Sequence, residues 1–565
     1  MKSFRNRYTA GHMKPIKRYL LSTVMVCTAA ATYAQRGEIE SQTYEILKEK
    51  SIEFPKADRL LDKVQPAAAK TEQSKVNYRF NDVKMAPGSP TIVPSVAVSS
   101  DEKERKELPE PLNNYIKLGA GNFSRFLGEA FISSRTSEDM VATGEIKHLS
   151  AGTGPVDGKN SANSNSLFRV GAKYLGASFK LDGGIEYERK NYYFYGYQKQ
   201  PEGVSVDRDS IRQTLNRFGV KLGLENTEPN SLIDYKVVTM LNTIKDRYSS
   251  SEVDWGTNLQ TSLPVTEKIY AIFDADAYVS QRVDLDKTYN RNMFRVKPSF
   301  KYADELFSLT VGLNVVNETD NGLDVNRTRA FPVVDLDVAP FQGLHIKAGY
   351  NGDIVRNTLR SFLSENQWLG PNLLVANTIK NSDIYAGIKG EGNGLNYEAK
   401  VAFTGYKNFY FFNNSLSDTS KFSAIYDSGK TNVLTISGEA GYQVNDLFNT
   451  SVKASFNDYS VTNIEEPWHR PKFNFSWFNA LTISKKLFIT SELYTLSGMK
   501  GVNFRTGEVR KLKAIADLNL KIDYLLTRNF SAFVNINNIF GKEYERYMNY
   551  RQQGLNFVGG LSFSF

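Results

Sequence analysis

The amino-acid sequence predicts an all-β protein, in which residues 113–565 form a transmembrane antiparallel β-barrel of about 18 to 22 strands behind a mostly disordered N-terminal tail. Two observations carry this prediction. Many segments of the chain alternate strictly between apolar and polar side chains, and its 565 residues include 40 Gly, 31 Tyr and 35 Phe. Beyond the N-terminus no apolar run approaches about 20 residues, which excludes a bundle of membrane-spanning helices.

The first 34 residues have the composition of a secretory signal peptide. Six basic residues and no acidic residue lie there, and the apolar stretch Tyr19–Ala31 precedes Thr32-Tyr33-Ala34, which has small residues at positions 32 and 34. A basic start, an apolar centre and small residues at the cleavage site are the parts of such a signal. We expect cleavage after residue 34 and a true start at Met13. Cys27 follows a bulky residue, so a lipid-modified cysteine is not predicted.

Residues 35–112 differ in composition from everything that follows. They contain seven of the 18 prolines, four aromatic residues, 13 basic residues and 14 acidic residues. Such a segment cannot bury enough apolar surface to offset the entropy lost on ordering. We predict a Pro-rich flexible periplasmic tail with a short helix at 38–50. A tail of this length could reach a distant periplasmic partner.

The strands of residues 113–565 are marked by alternation at a period of two, which places successive side chains on opposite faces. The segment 268–280 is an example, with Ile269, Ala271, Phe273, Ala275, Ala277 and Val279 on one face against Lys268, Asp274, Asp276 and Ser280 on the other. Charged residues occupy the second face in strand after strand, which suits a barrel with lipid outside and water inside. A soluble propeller or solenoid would need a fixed repeat, and none is found.

Two clusters of consecutive aromatic residues lie near predicted strand ends, at 192–195 and 409–412. Aromatic residues are enriched where a membrane barrel meets the bilayer interface. We therefore expect both clusters to belong to interfacial girdles on the outside of the barrel.

The chain ends in a strand whose alternate residues are apolar. Phe563 and Phe565 share the apolar face, and Gly560 precedes them. This arrangement resembles the terminal β-signal of bacterial outer-membrane proteins, although Val558 stands where that pattern usually has a polar residue. The resemblance implies that Gly560, Phe563 and Phe565 are recognised by the barrel-assembly machinery. It also implies that the barrel lies in the lipid of a Gram-negative type outer membrane.

The segment before the last strand extends this resemblance. Asn537-Asn538-Ile539-Phe540 and a Tyr-rich loop precede Gly554 and the terminal strand, and this order is similar to the end of TonB-dependent receptors. The segment 371–389 is similar to the place where receptors of this type turn back into the barrel. The resemblance implies a receptor-type barrel.

The N-terminal side departs from that family. Its members carry a globular plug before the barrel, with an energy-coupling box near the mature N-terminus, whereas residues 35–112 are too few and too polar for such a plug. Energised import by the usual plug mechanism is therefore not implied. Because a barrel of this size encloses a wide lumen, we expect inward-folded long loops, the tail or another protein to occupy or gate it.

Two functions remain open at this point. The first is transport or permeation of a small polar solute, with the alternating Lys, Asp and Glu side chains lining the lumen. The second is a non-transporting envelope anchor, whose tail docks onto a periplasmic partner.

An enzyme is not predicted, because the inventory of nucleophiles and bases is thin. His148 and Ser150 share one face of a strand and could in principle serve lipid hydrolysis. No motif supports that reading, so we interpret His148 as a polar strand residue and predict no catalytic residues.

Several carboxylates share strand faces without forming a recognisable site. Asp274 lies two residues from Asp276, and Asp335 lies two residues from Asp337. The oxygen-rich segment 318–324 lacks the spacing of an EF-hand loop. Lumen-lining charge and a solvated turn explain these residues, so neither a metal site nor a cofactor is predicted.

The formal net charge of +9 does not indicate a nucleic-acid partner. Six of these charges belong to the predicted signal peptide, and the remaining surplus is spread over more than 500 residues. A nucleic-acid-binding protein would concentrate its basic residues in one patch.

Overall fold

The computed structural model describes residues 114–135, 139–198, 205–228, 231–285, 287–444, 447–503 and 506–565. The predicted signal peptide, its cleavage site and the predicted tail with its short helix lie outside the described residues. They remain predictions.

The described residues contain 26 strands, of which 22 close into one antiparallel barrel. The strands are β1 Tyr115–Gly121, β2 Arg125–Arg135, β3 Met140–Ala151, β4 Asn163–Leu175, β5 Phe179–Tyr193, β6 Arg212–Asn226, β7 Asp234–Lys245, β8 Ser251–Pro264, β9 Ile269–Asp284, β10 Lys287–Ala303, β11 Phe307–Asp320, β12 Val325–Phe341, β13 Leu344–Val355, β14 Thr378–Gly392, β15 Leu395–Asn414, β16 Phe422–Val444, β17 Phe448–Ser460, β18 Phe473–Ile483, β19 Leu487–Ser497, β20 Lys500–Asn503, β21 Glu508–Lys511, β22 Ile515–Leu525, β23 Phe530–Asn537, β24 Glu545–Tyr547, β25 Tyr550–Arg551 and β26 Asn556–Ser564. The ring closes where β1 pairs with β26, and β20–β21 and β24–β25 are separate hairpins.

Side chains alternate between the outside of the barrel and its lumen, as the period of two predicts. Ile116 and Leu118 of β1 lie opposite Phe563 and Leu561 of β26, and all four are exposed on the outer surface. Lys117, between the first two, forms an ion pair with Asp523. A closed barrel with an apolar outer belt is the architecture of outer-membrane proteins. The predicted fold class and outer-membrane localisation are therefore confirmed.

The two ends of the barrel differ in their connections. At one end the turns are short, as at 342–343 and 393–394, and both termini of the barrel lie there. Asn393 and Gly394 both have positive φ, the backbone that a two-residue hairpin turn requires. The other end carries the long connections, among them 356–377, 461–472 and 538–555. No helix among the described residues has the length and apolar character to cross a membrane.

The seam between β1 and β26 is built from glycines. Gly560 lies opposite Gly119, and a Cβ added at Gly560 would stand 1.9 Å from the carbonyl oxygen of Leu118. A Cβ at Gly121 would stand 1.7 Å from the carbonyl oxygen of Phe557. Only glycine fits at these two positions, because the backbones of the first and last strands approach so closely.

The prediction of aromatic girdles at 192–195 and 409–412 is wrong. Phe194 and Phe411 are both 0% exposed, and their neighbours Tyr192 and Phe412 are 2% exposed. Both clusters lie at the end of the barrel where long connections fold inward. Their rings therefore pack on these connections instead of on lipid.

Candidate functional site

The connection from β13 to β14 runs inside the barrel and forms the centre of the candidate site. We call residues 356–377 the crossing segment. It contains helix α1, Leu359–Glu365. The helix begins with a capping box, in which the Thr358 hydroxyl accepts from the backbone N–H of Ser361 at 3.0 Å and the Ser361 hydroxyl accepts from that of Thr358 at 2.9 Å.

One side of the crossing segment is anchored to β8 and β9 by buried charges. Glu252 accepts hydrogen bonds from the backbone N–H groups of Leu359 at 3.0 Å and Arg360 at 3.4 Å. Asp284 accepts from the backbone N–H of Leu373 at 3.1 Å, and Arg282 donates to the carbonyl oxygen of the same residue at 2.7 Å. Arg282 and Asp284 also pair with each other at 2.9 Å. Every charge in this anchor thus has a partner.

A second anchor joins the segment to β10. Arg291 donates to the carbonyl oxygen of Asn357 and to the side-chain oxygen of Asn377, both at 2.7 Å, and pairs with Asp320 at 2.7 Å. Asn377 in turn donates to Glu318 at 2.7 Å. Arg291 therefore holds both ends of the crossing segment against the barrel wall.

The other side of the crossing segment packs on aromatic rings. Trp368 stacks on Tyr550, with ring centroids 3.9 Å apart, and meets Tyr192 and Tyr195 edge to face at 5.4 and 5.1 Å. Offset stacked and edge-to-face arrangements are the favourable ones for aromatic pairs. A Cβ at Gly196 would stand 2.6 Å from the Tyr550 ring, so this ring lies directly on the backbone.

These contacts carry the segment across the mouth of the barrel. Trp368 touches Tyr192 at the end of β5, and its carbonyl oxygen accepts from the N–H of Phe422, where β16 begins, at 2.8 Å. β5 and β16 lie eleven strands apart in a ring of 22. We call the crossing segment, residues 194–198, the β15–β16 tip 407–431 and the connections 461–472 and 538–555 the lumenal cap. Most of the buried apolar residues of the crossing segment form one cluster with rings of the neighbouring parts, and Phe362, Trp368, Phe422 and Tyr550 are among its members. Two smaller clusters, one with Phe411 and Trp468 and one with Tyr544 and Met548, complete the packing of the cap.

A partly buried ion pair lies within the cap itself. Arg470 donates to the Glu365 carboxylate at 2.7 Å and to the carbonyl oxygen of Tyr410 at 3.0 Å. The Tyr410 hydroxyl donates to the other oxygen of Glu365 at 2.5 Å. Burial opposes the charge of Arg470, but Glu365 and Tyr410 outweigh it and raise its pKa above the ordinary value. This triad fastens α1 to the connection 461–472.

His469, next in the chain, joins three parts of the cap as a neutral imidazole. Its Nδ1 lies 2.8 Å from the carbonyl oxygen of Phe412, and its Nε2 accepts from the N–H of Met548 at 3.2 Å. These partners require the proton on Nδ1. Complete burial lowers the pKa of His469 to about 3. The ring therefore acts as a spacer that stays uncharged at neutral pH.

The carboxylates singled out from the sequence lie in the lumen, where each is engaged. Asp276 pairs with Arg295 at 2.6 Å, Asp335 accepts from the Tyr385 hydroxyl, and Asp337 contacts His345 at 2.8 Å and Lys347 at 3.2 Å. Asp274 also has a partner. In the segment 318–324, Glu318 pairs with Arg327, and Asp320 accepts from the turn N–H groups of Gly322 and Leu323. Among the described residues, no group of three or more His, Cys, Asp or Glu side chains could hold a metal ion.

His148 contacts Ser166 rather than Ser150. The two lie opposite each other on β3 and β4, with Nδ1 2.8 Å from the serine oxygen. They share the outer face with Ile146, which is 56% exposed. Among the described residues no carboxylate or amide contacts the other ring nitrogen, so the orienting group of a catalytic triad is missing there.

The three residues of the proposed assembly signal lie at the seam. Gly560 fills the close approach of β26 to β1, whereas Phe563 and Phe565 stack on each other on the outer surface at 5.7 Å. Their recognition by the assembly machinery stays a prediction. Four residues of the cap had not been singled out from the sequence: Glu365, Trp368, Arg470 and Tyr550. The one local signal of the cap was the break in alternation after β13, where Thr358 and Ser361 begin a helix.

Solved structures with the same barrel include the iron transporter FrpB of Neisseria meningitidis, at 10% identity and a TM-score of 0.63, with 80% of this chain and 81% of that chain covered. The outer-membrane ferripyoverdine receptor of Pseudomonas aeruginosa matches at 13% identity and a TM-score of 0.59, over 80% and 71% of the two chains. The siderophore receptor PiuA of Acinetobacter baumannii matches at 11% identity and 0.59, over 80% and 82%. Neither a family model nor a curated protein sequence matches the chain. The predicted likeness to TonB-dependent receptor barrels is thus confirmed for the fold: the chain has the barrel of these receptor and transporter structures.

Proposed function

We propose that the protein is a receptor-type transporter that passes a small polar solute through its lumen, with the lumenal cap as the gate. The observation that carries the proposal is the crossing segment, which spans the mouth and packs on other connections that close over it. A lumen lined by paired Arg, Lys, Asp and Glu residues offers hydrogen bonds to a polar solute at many positions along the barrel axis.

The two sides of the crossing segment differ in a way that suits a gate. Toward β8–β10 it is held by buried ion pairs, whose separation would leave uncompensated charges. Toward the connection 538–555 it is held by rings and by single hydrogen bonds, such as that from the Tyr547 hydroxyl to the Glu365 carbonyl oxygen, while the ion pair of Arg470 with Glu365 fastens α1 to the connection 461–472. Opening is therefore easier on the aromatic side, where Tyr547 and Tyr550 would move away with their hairpin.

The neighbours with this barrel include an iron transporter and siderophore receptors. We therefore include iron–siderophore complexes among the polar solutes to be tested. Docking of the predicted tail, residues 35–112, onto a periplasmic partner lies outside the described residues and stays a separate prediction. Co-purification with and without the tail tests it.

Planar-bilayer conductance tests the gate. We expect the intact protein to conduct little and the double variant Trp368→Ala, Tyr550→Ala to conduct at least several-fold more, because the stacked pair joins the two halves of the cap. Trp477→Ala, Tyr524→Ala is the matched control, since both of its rings are exposed on the outer surface. Equal conductance of the two double variants would contradict a gate at this place.

Solute passage is measured separately, by swelling of liposomes that contain the same three proteins in sugars and amino acids of increasing size, and by uptake of a labelled iron–siderophore complex. If the variant Trp368→Ala, Tyr550→Ala conducts ions but passes none of these solutes, the result would support the gate and refute transport of a small polar solute.

A further inference from the structure

A row of polar and basic side chains crosses the outer surface of β3–β7. His148 lies opposite Ser166, Ser166 opposite Arg189, Arg189 opposite Asn216, and Asn216 opposite Lys245. Because directly opposed residues in antiparallel strands point to the same face, all five share one side of the barrel wall. We call these five residues the outer polar row.

The row lies on the lipid side of the wall. Ile146, Ile185 and Leu241 occupy the same faces of β3, β5 and β7 and are 56%, 46% and 38% exposed, as the apolar belt requires. Arg189 lies four residues beyond Ile185, and Lys245 lies four residues beyond Leu241. Each cation therefore lies past the apolar belt, on the part of its strand that leads to the long connections.

The height of the row matches the bilayer interface. Counted from the short-turn end, His148 lies eight residues beyond Met140, and Arg189 lies ten beyond Phe179. A tilted strand needs about 9–11 residues to cross the hydrocarbon layer. The row therefore stands where lipid headgroups begin, on the side of the long connections.

Among the residues that the structure describes, the cations of the row have no counterion. The side chains of Arg189 and Lys245 are exposed and form no ion pair or hydrogen bond with another residue of the described ranges. The outward positions of β3–β7 carry no carboxylate. The lumenal arginines Arg291 and Arg295, in contrast, both have carboxylate partners. Unpaired cations on a lipid-facing wall are costly away from the interface, so an external anion is the partner that fits.

The remaining side chains of the row add donors for that anion. Tyr187 donates to the side-chain oxygen of Asn216 at 2.9 Å, which leaves the amide N–H₂ of Asn216 facing outward. His148 and Ser166 hydrogen-bond to each other at 2.8 Å, next to Arg189. A guanidinium, an ammonium and an amide in one row match the oxygens of a phosphate group.

We propose that the outer polar row binds the phosphate of an anionic lipid headgroup in the leaflet on the side of the long connections. Arg189 and Lys245 contact the phosphate oxygens, Asn216 between them donates a further hydrogen bond, and the apolar residues below the row contact the acyl chains. A lipid held there would lie against the same strands that support the β5 side of the lumenal cap.

Native mass spectrometry of the full chain in detergent tests the proposal. The protein is titrated with phosphatidylglycerol, with zwitterionic phosphatidylcholine and with inorganic phosphate, beside the variant Arg189→Gln, Lys245→Gln. Lys485→Gln, Lys486→Gln is the control, because it removes the same charge from the exposed turn 484–486 at the opposite rim. Resistance to SDS on a gel verifies that each variant has folded.

We expect phosphatidylglycerol to remain bound to the wild type and to the control, and to bind Arg189→Gln, Lys245→Gln at least about tenfold more weakly, as the loss of two cations near an anionic surface implies. Arg189→Lys, Lys245→Arg should restore most of the binding. Equal loss in the control variant, undiminished binding in Arg189→Gln, Lys245→Gln, equal binding of phosphatidylcholine, or binding of inorganic phosphate as strong as that of the lipid would each overturn the proposal.

Discussion

The barrel wall and the lumenal cap use the same residue types in opposite ways. On the wall, large apolar side chains such as Leu561 and Phe563 face outward and are exposed to lipid, while the charges face inward. In the cap, Trp368 and Tyr550 are buried against each other, and charged side chains such as Arg470 face the inside of the cap and are only partly exposed. The wall is thus stabilised by its ladder of backbone hydrogen bonds and by lipid, and the cap by side-chain packing inside the barrel.

This difference sets what each region tolerates. Along the wall, a lipid-facing side chain can change size freely, but the backbones of neighbouring strands must meet without obstruction. In the cap, few backbone–backbone hydrogen bonds hold the crossing segment and side chains hold most of it, so the loss of one side-chain partner should release part of the segment while the ring remains closed.

Substitution of Gly560 tests the wall and should have the largest effect. Gly560→Ala places a Cβ 1.9 Å from the Leu118 carbonyl oxygen, so β26 cannot pair with β1 and the ring cannot close. We expect loss of SDS-resistant barrel on gels, measured in isolated membranes. Gly559→Ala is the matched control, because its added Cβ meets nothing closer than 3.6 Å.

The same experiment separates the seam from the assembly signal. Gly121→Ala obstructs the seam at 1.7 Å from the Phe557 carbonyl oxygen, but it leaves the last ten residues unchanged. If Gly121→Ala folds normally while Gly560→Ala does not, the effect of Gly560 belongs to recognition of the terminal signal and not to strand closure.

Removal of a cap anchor should have the next largest effect, and a local one. Asp284→Ala leaves Arg282, which is 3% exposed, without its counterion and frees the backbone of residues 372–373. Breaking such a buried pair costs about 3–5 kcal/mol. We expect faster hydrogen–deuterium exchange in the crossing segment, with unchanged SDS resistance of the barrel.

Asp182→Ala is the control for that experiment. Asp182 pairs with Lys221 at 3.6 Å, and both side chains are partly exposed, so the pair contributes about 0–1 kcal/mol. Loss of SDS resistance in Asp284→Ala would mean that the cap is needed for the barrel itself, and the two regions would then not be independent.

The sequence predicted the wall far better than the cap. The wall depends on contacts between strands that are neighbours in the chain, whereas the cap depends on contacts between residues that are far apart in the chain. Strands such as β9 are marked by a local period of two, and each pairs with its neighbour in the chain, so their number could be predicted within a few. The contact of Glu365 with Arg470 joins residues 105 apart, and that of Tyr547 with Glu365 joins residues 182 apart. No local sequence pattern predicts contacts between residues so far apart in the chain.

Some signals were present but ambiguous. Four aromatic residues at a strand end predict an interfacial girdle as well as they predict the core of a cap, because in both places large rings replace water. At 192–195 the choice is made by the crossing segment, which brings Trp368 to these rings. The alternation of apolar and polar residues through 511–526 is ambiguous in a similar way. Strand β22 begins only at Ile515, and Leu512 is buried in a smaller cluster with Met499 and Tyr544.

Acidification should loosen the cap with a smaller, graded effect, which comes from His469. Its pKa is lowered by burial to about 3 in the closed cap, whereas an opened cap would return it to an ordinary value of about 6.5. The open state therefore binds the proton first as the pH falls, so stability of the closed cap is complete above about pH 6.5 and is lost progressively toward pH 3. At pH 5 the loss should be about 2 kcal/mol.

Hydrogen–deuterium exchange at pH 7 and pH 5, corrected for the intrinsic rate, measures this effect at residues 461–472 and 538–555. We expect protection there to fall at pH 5, while protection in β9 and β10 stays the same. His469→Gln can still donate to the Phe412 carbonyl oxygen and does not titrate, so its protection should no longer depend on pH over this range. A pH dependence that persists in His469→Gln would assign the titration to another group, and the neutral imidazole would then be only a packing element of the cap.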